Sequence, residues 1–158
     1  MKDILRLIVA PWYLLGWISH VYLALSIPET YRGFGSTALL PAFGQFWESL
    51  IMPNIVPLAL ALATFELTVG LLLIGRGRQV TVGLALSILF NLFLVQLGLS
   101  GQATDWTSDF LMNRMPNLIL VAAQVPLLFC TFDQSLAEVI SPFFRRYVQW
   151  KRPGSTSN

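Results

Sequence analysis

Four stretches of this chain are apolar for as long as a lipid bilayer is thick. A helix needs about 20 such residues to cross the ~30 Å hydrocarbon layer. Residues 4–27 carry no charge between Arg6 and Glu29, and residues 54–75 enclose a single one, Glu66. Residues 79–99 and 115–132 carry none, and the last stretch is the shortest. In hydrocarbon every backbone N–H and C=O needs a partner inside the protein, which leaves helices for segments of this length. Composition agrees. Only 11% of the 158 residues are charged and 55% are hydrophobic, where soluble domains carry about 25% charged residues. A water-soluble fold of this size has too little interior to hide that much apolar surface. The sequence therefore predicts an all-α integral membrane protein, a four-helix bundle forming one domain over residues 1–132.

Lysine and arginine set the expected orientation. Lys2 and Arg6 open the chain, Arg76 and Arg78 fill the turn between spans two and three, and Arg145, Arg146, Lys151 and Arg152 follow span four. An even number of spans puts these on one side, leaving Arg32 and Arg114 on the other. The positive-inside rule makes the richer side cytoplasmic, with both termini there, in the inner or plasma membrane. The first stretch is longer than a signal-peptide core and lacks a small-residue cleavage site, so it reads as an uncleaved span. Pro28, Pro53, Pro57 and Pro116 stand at span ends, where proline is tolerated. Pro11 and Pro126 stand inside spans and predict kinks.

Two flanking segments are amphipathic. Between Pro28 and Pro53, residues such as Phe43, Phe46, Trp47 and Leu50 interleave with Gln45, Glu48 and Ser49. This predicts a short interfacial helix from about Pro41 to Ile51, either a surface anchor or a lid over an outward-facing cavity. Residues 133–152 predict a cytoplasmic helix begun by a capping box, Ser135 with Glu138. Its cluster of Arg145, Arg146, Tyr147, Trp150, Lys151 and Arg152 suits an anionic inner leaflet, and residues 153–158 read as disordered. Trp12, Trp17, Trp47, Trp106 and Trp150 read as an aromatic belt at the membrane interfaces.

The residues that could carry chemistry are few. One cysteine, Cys130, and one histidine, His20, exclude an internal disulfide, a bis-histidine haem and a four-ligand zinc site within this chain. No phosphate loop, dinucleotide fingerprint or nucleophile motif occurs, and the basic tail is too short for nucleic acid. What remains is polar groups inside the spans, each costly in lipid and in need of a partner. Glu66, Asn91 and Gln124 fall near mid-depth, with His20 in the outer half. Ala59, Ala63 and Gly70 share the Glu66 face of span two, and Gly83, Ser87 and Asn91 form a stripe on span three. Small residues let helices approach closely, so the simplest packing joins the stripes and bonds Glu66 to Asn91 or Ser87. Estimated depths separate His20 from Glu66 by several ångströms, which argues against a direct bond between them. Glu66 is then either a neutral acid holding helices together or a proton-handling group, and His20 either an interior filler or its partner.

The run Phe65-Glu66-Leu67-Thr68-Val69-Gly70-Leu71-Leu72-Leu73-Ile74-Gly75, followed by Arg76, Arg78 and a third apolar span, resembles the core of the DoxX-like family of small four-helix membrane proteins. Leu14-Leu15-Gly16 in span one is also similar. The resemblance covers residues 5–132 and carries over two positions, Glu66 and Gly70. Where many relatives have a lysine after span one, this chain has His20 and Tyr22. The resemblance implies a subunit of a larger membrane complex that handles electrons or quinones. Two readings follow: an accessory subunit with no chemistry of its own, or a quinone-binding component in which Glu66 and His20 pass protons. A quinone or a pigment ring is the cofactor either would meet.

Overall fold

The computed structural model describes residues 2–142. Every element among them is helical, and none is a strand. In chain order the helices are α1 (Lys2–Ser26), α2 (Arg32–Ser36), α3 (Pro41–Phe46), α4 (Ile55–Ile74), α5 (Arg78–Leu97), α6 (Trp106–Asp109) and α7 (Met115–Gln124). Among the described residues, three helical stretches are long and apolar enough to cross a membrane: Lys2–Ser26, Pro41–Ile74 and Arg78–Leu97.

The second stretch is 34 residues long because α3 does not end where a separate interfacial helix would. It runs through a wide turn, Trp47–Ile51, and a tight one, Met52–Asn54, straight into α4. Pro53 permits this because it sits at the start of the tight turn, where a missing N–H goes unnoticed. Pro126 acts the opposite way. The α-helix of the fourth apolar segment stops at Gln124 and tightens into the turn Val125–Phe129. Ten α-helical residues reach about 15 Å. The helical path of this segment is completed by α6 and the wide turn Phe110–Arg114 before it.

Helix α1 packs along α4, α4 along α5, and α5 along α7. One end of the molecule, the base, gathers the start of α1, the α4–α5 turn and residues around 132. There Gly77 adopts φ +55°, ψ −132°, a conformation open to glycine, and its N–H reaches Phe132 O at 2.6 Å. The other end, the mouth, gathers the long connections. A core cluster fills each end, one around Tyr13, Leu73 and Leu84, the other around Ala24, Tyr31, Trp47 and Ala59.

The small-residue stripes do not face each other. A Cβ on Gly70 would stand 2.9 Å from the backbone N of Leu14, so Gly70 lets α1 and not α5 close onto α4. Ala59 joins Ala24 of α1 in the mouth cluster, and Ala63 is buried. Gly83 faces Leu72 and Leu73 of α4. The small face of α4 is occupied by its largest partner, α1, and α5 meets the leucines beside it.

Two arginines expected among the flanking charges are buried instead. Arg6, 1% exposed, donates to Leu73 O at 3.2 Å, Gly75 O at 2.8 Å and Gln134 O at 3.2 Å, and pairs with Asp3 at 2.8 Å. Its guanidinium also lies over the Phe132 ring. Arg114 does the same at the mouth, donating to Val95 O at 2.8 Å, to Gln96 O and to Thr37 O, and pairing with Asp109 at 3.0 Å. Helix C-termini leave carbonyls without partners, and a guanidinium carries five donors in a fixed fork that can serve them.

Trp47 is likewise no interfacial anchor. It is 7% exposed and donates its indole N–H to Tyr31 O at 2.9 Å. Among the described residues, Trp12 and Trp106 are the exposed tryptophans, at 70% and 69%. After the base, the Glu138 carboxylate accepts the Ser135 N–H at 2.7 Å while Ser135 Oγ accepts the Glu138 N–H at 3.3 Å. That capping box opens a helix at residue 136 that continues to the last described residue. Arg145, Arg146, Tyr147, Trp150, Lys151 and Arg152, and the tail 153–158, lie outside the described residues.

Candidate ligand cavity

In the mouth half, α1, α4, α5 and the 28–54 connection enclose a cavity of about 220 Å³. Its wall is mainly aromatic, including Tyr31, Phe34, Trp47, Phe90 and Phe93, and its polar groups are those of Tyr13, His20, Glu66 and Asn91. Trp12 and Phe93 belong both to this wall and to the outer face of their helices, 70% and 41% exposed. The cavity therefore has a rim on the side where the helices present apolar surface.

The Glu66 carboxyl is 4% exposed. Its Oε1 lies 3.4 Å from His20 Nε2, and His20 Nδ1 lies 2.6 Å from Tyr31 OH. The sequence reading gave Glu66 different partners and argued against this one. Two features close the gap. Side chains lean toward the N-terminus of their own helix. Helix α1 starts at the base and α4 at the mouth, so His20 leans down while Glu66 leans up. Gly16 also leaves a bare patch of α1 between them: a Cβ there would stand 2.7 Å from Glu66 Oε2.

Burial pushes the Tyr31 phenol up to about 12, and the nearby Glu66 charge adds to it. Tyr31 thus keeps its proton and can donate it to His20 Nδ1, in the tautomer that carries the ring proton on Nε2. The Nε2–H then faces Glu66. Glu66, His20 and Tyr31 form a line along which a proton can be taken up or passed.

Ser87 and Asn91 are engaged elsewhere. Ser87 Oγ lies 2.6 Å from Gln124 Oε1 and 2.9 Å from Tyr13 OH. Asn91 Nδ2 donates to Tyr13 OH at 2.9 Å and to Ser87 O at 2.8 Å, and Gln124 Nε2 to Leu120 O at 3.1 Å. Ser87 has one proton, and the amide oxygen is an acceptor only. The bonds therefore run from Asn91 to Tyr13, from Tyr13 to Ser87 and from Ser87 to Gln124. The expected mid-depth layer is two systems: a hydrogen-bonded one that joins α1, α5 and α7, and the Glu66–His20–Tyr31 line beside it.

One oxygen of that line is left over. Glu66 Oε2 has no hydrogen-bond partner among the described residues, as is true of Gln96 Nε2 and Asn117 Nδ2. No three His, Cys, Asp or Glu side chains among the described residues converge as a metal site would require. Tyr13 and Tyr31 were not singled out from the sequence, and Gly16 only within the Leu14-Leu15-Gly16 resemblance. For two of them a signal existed: Tyr13, Gly16 and His20 are spaced by three and four residues, which puts them on one face of α1. Tyr31 had none, because it arrives through an irregular connection.

Compared with known proteins, the chain matches no family model, no curated protein sequence and no solved structure.

Proposed function

We propose that this chain is a four-span protein of the cell membrane, of the DoxX-like kind, with both termini on the cytoplasmic side. In this reading it binds a lipid-soluble ring such as a quinone in its mouth-half cavity, with Glu66 and His20 handling protons. One observation carries the proposal: a buried carboxyl, an imidazole and a phenol stand in line in the wall of an aromatic cavity. A flat ring stacks on such walls, and a buried ionisable group in a span is a functional feature by default. The exposed rim at Trp12 and Phe93 supports entry from the bilayer. The test is direct. Protein purified from its membrane in mild detergent is extracted with organic solvent, and the extract is analysed for quinones. About one ring per chain is expected, depleted in the Glu66→Ala variant. A chain that holds no such ring, and takes up none on reconstitution, overturns the proposal.

A second reading, an accessory subunit of a larger redox complex, is favoured by α1. Its lipid-side residues Ile4, Ile8, Trp12, Leu15, Ile18, Tyr22 and Leu25 form one exposed apolar stripe, interrupted by a shallow groove at Pro11, Gly16 and Ser19. A partner's helix fits such a groove. Co-purification of a partner in gentle detergent supports this reading, and a chain that runs alone counts against it.

A further inference from the structure

We infer that the cavity holds a ring that donates hydrogen bonds, a hydroquinone or related phenol, in preference to the dione formed from it by oxidation. This rests on the reading that the cavity takes a lipid-soluble ring, and adds which form of the ring it favours.

The polar atoms of the wall are sorted by what they have left to offer. Its donors are taken up within the wall: in the tautomer that accepts from Tyr31, the His20 Nε2–H faces Glu66 Oε1 at 3.4 Å. Asn91 Nδ2 is taken by Tyr13 and by Ser87 O. Because Ser87 O accepts only, that bond also fixes which end of the Asn91 amide is nitrogen. Tyr13 gives its proton to Ser87, Tyr31 gives its own to His20, and Trp47 donates to Tyr31 O. Trp12 keeps an unspent N–H among the described residues, but it stands on the exposed rim. The acceptors are not spent. Glu66 Oε2 is buried without a partner, and no hydrogen bond among the described residues reaches Asn91 Oδ1.

A buried acceptor without a donor is costly, more so when it carries charge. A phenolic O–H supplies that donor. A dione brings only acceptors and would set oxygen against oxygen. The gap left at Glu66 therefore has the polarity of a hydroxyl.

The full chain in lipid nanodiscs, under argon, is titrated with a decyl-benzoquinone and separately with its two-electron-reduced quinol. The quinol is expected to bind at least ~10-fold more tightly, the cost of leaving one buried acceptor unpaired. Glu66→Gln, whose amide both donates and accepts, should remove most of that difference. Equal binding, or tighter binding of the quinone, overturns this inference while leaving the cavity's role intact. Binding of neither form overturns both. A quinol preference that survives in Glu66→Gln overturns the assignment to Glu66. The comparison in the unsubstituted chain decides the preference even where the variant fails to fold.

Discussion

A single missing side chain sets the geometry of the candidate site. Gly16 lets the Glu66 carboxyl lie against α1 and reach His20. A methyl group at that position would meet Oε2 at 2.7 Å. Gly16→Ala is therefore expected to swing the carboxyl away and weaken ring binding about tenfold. The fold should persist, because alanine is the better helix former by about 1 kcal/mol. Binding titration alongside thermal denaturation of the same sample checks this, and unchanged affinity would show that the carboxyl's place is immaterial. At this scale the sequence was informative about which residues stand out and not about their partners. Glu66 and His20 are conspicuous as lone polar groups in apolar runs. Their pairing depends on the opposite lean of side chains on oppositely directed helices, and on a glycine whose effect is to be absent.

Among elements, the α1–α4 contact is the most extensive, and Gly70 lets the two backbones approach. An added Cβ would meet the side chain of Leu14 at 2.8 Å and its backbone N at 2.9 Å. Backbone cannot move aside as a flexible side chain can. Gly70→Ala is expected to cost about 1–3 kcal/mol of stability, read from denaturant unfolding in micelles. An unchanged midpoint would mean that α1 shifts freely on α4. The small-residue spacing on α4 was legible, but spacing does not say which neighbour uses it. The short Arg76–Gly77–Arg78 turn pointed to α5, and the more extensive contact is with α1. Prolines were ambiguous for a similar reason. Pro53 read as the edge of a span and Pro126 as a kink within one, yet the first lies within a continuous helical path and the second ends an α-helix. The Ser135–Glu138 box was legible because it is local, needing only residues three apart.

For the whole molecule, topology is the first quantity to measure. In a Cys130→Ser background, Thr104→Cys is expected to react with a membrane-impermeant maleimide in intact cells. Asp133→Cys should react only after permeabilisation. The reverse pattern, or both reacting from outside, would overturn the orientation read from Lys and Arg. Acid stability is the second. Burial raises the Asp109 carboxyl, but hydrogen bonds from Arg114 and Asn113 and the Arg114 charge outweigh it and hold it below its ordinary value. A lowered carboxyl stabilises the fold above its unfolded-state value of about 3.9 and loses that contribution as pH falls through the folded value. Unfolding followed below pH 5 should show an acid-side loss that Asp109→Asn lacks. Persistence of the full loss in that variant would place its origin in other carboxylates.

The buried Arg6 also bears on the order in which the molecule can be assembled. Its carbonyl partners are Leu73, Gly75 and Gln134, residues 67, 69 and 128 positions further along the chain. When α1 emerges from the ribosome, none of them exists. Until α4 is complete, the guanidinium has among its partners only Asp3, on its own helix. Its last bond waits for the segment after α7. A charge made early in synthesis thus becomes the fastening that holds the first helix to the end of α4 and to the segment after α7.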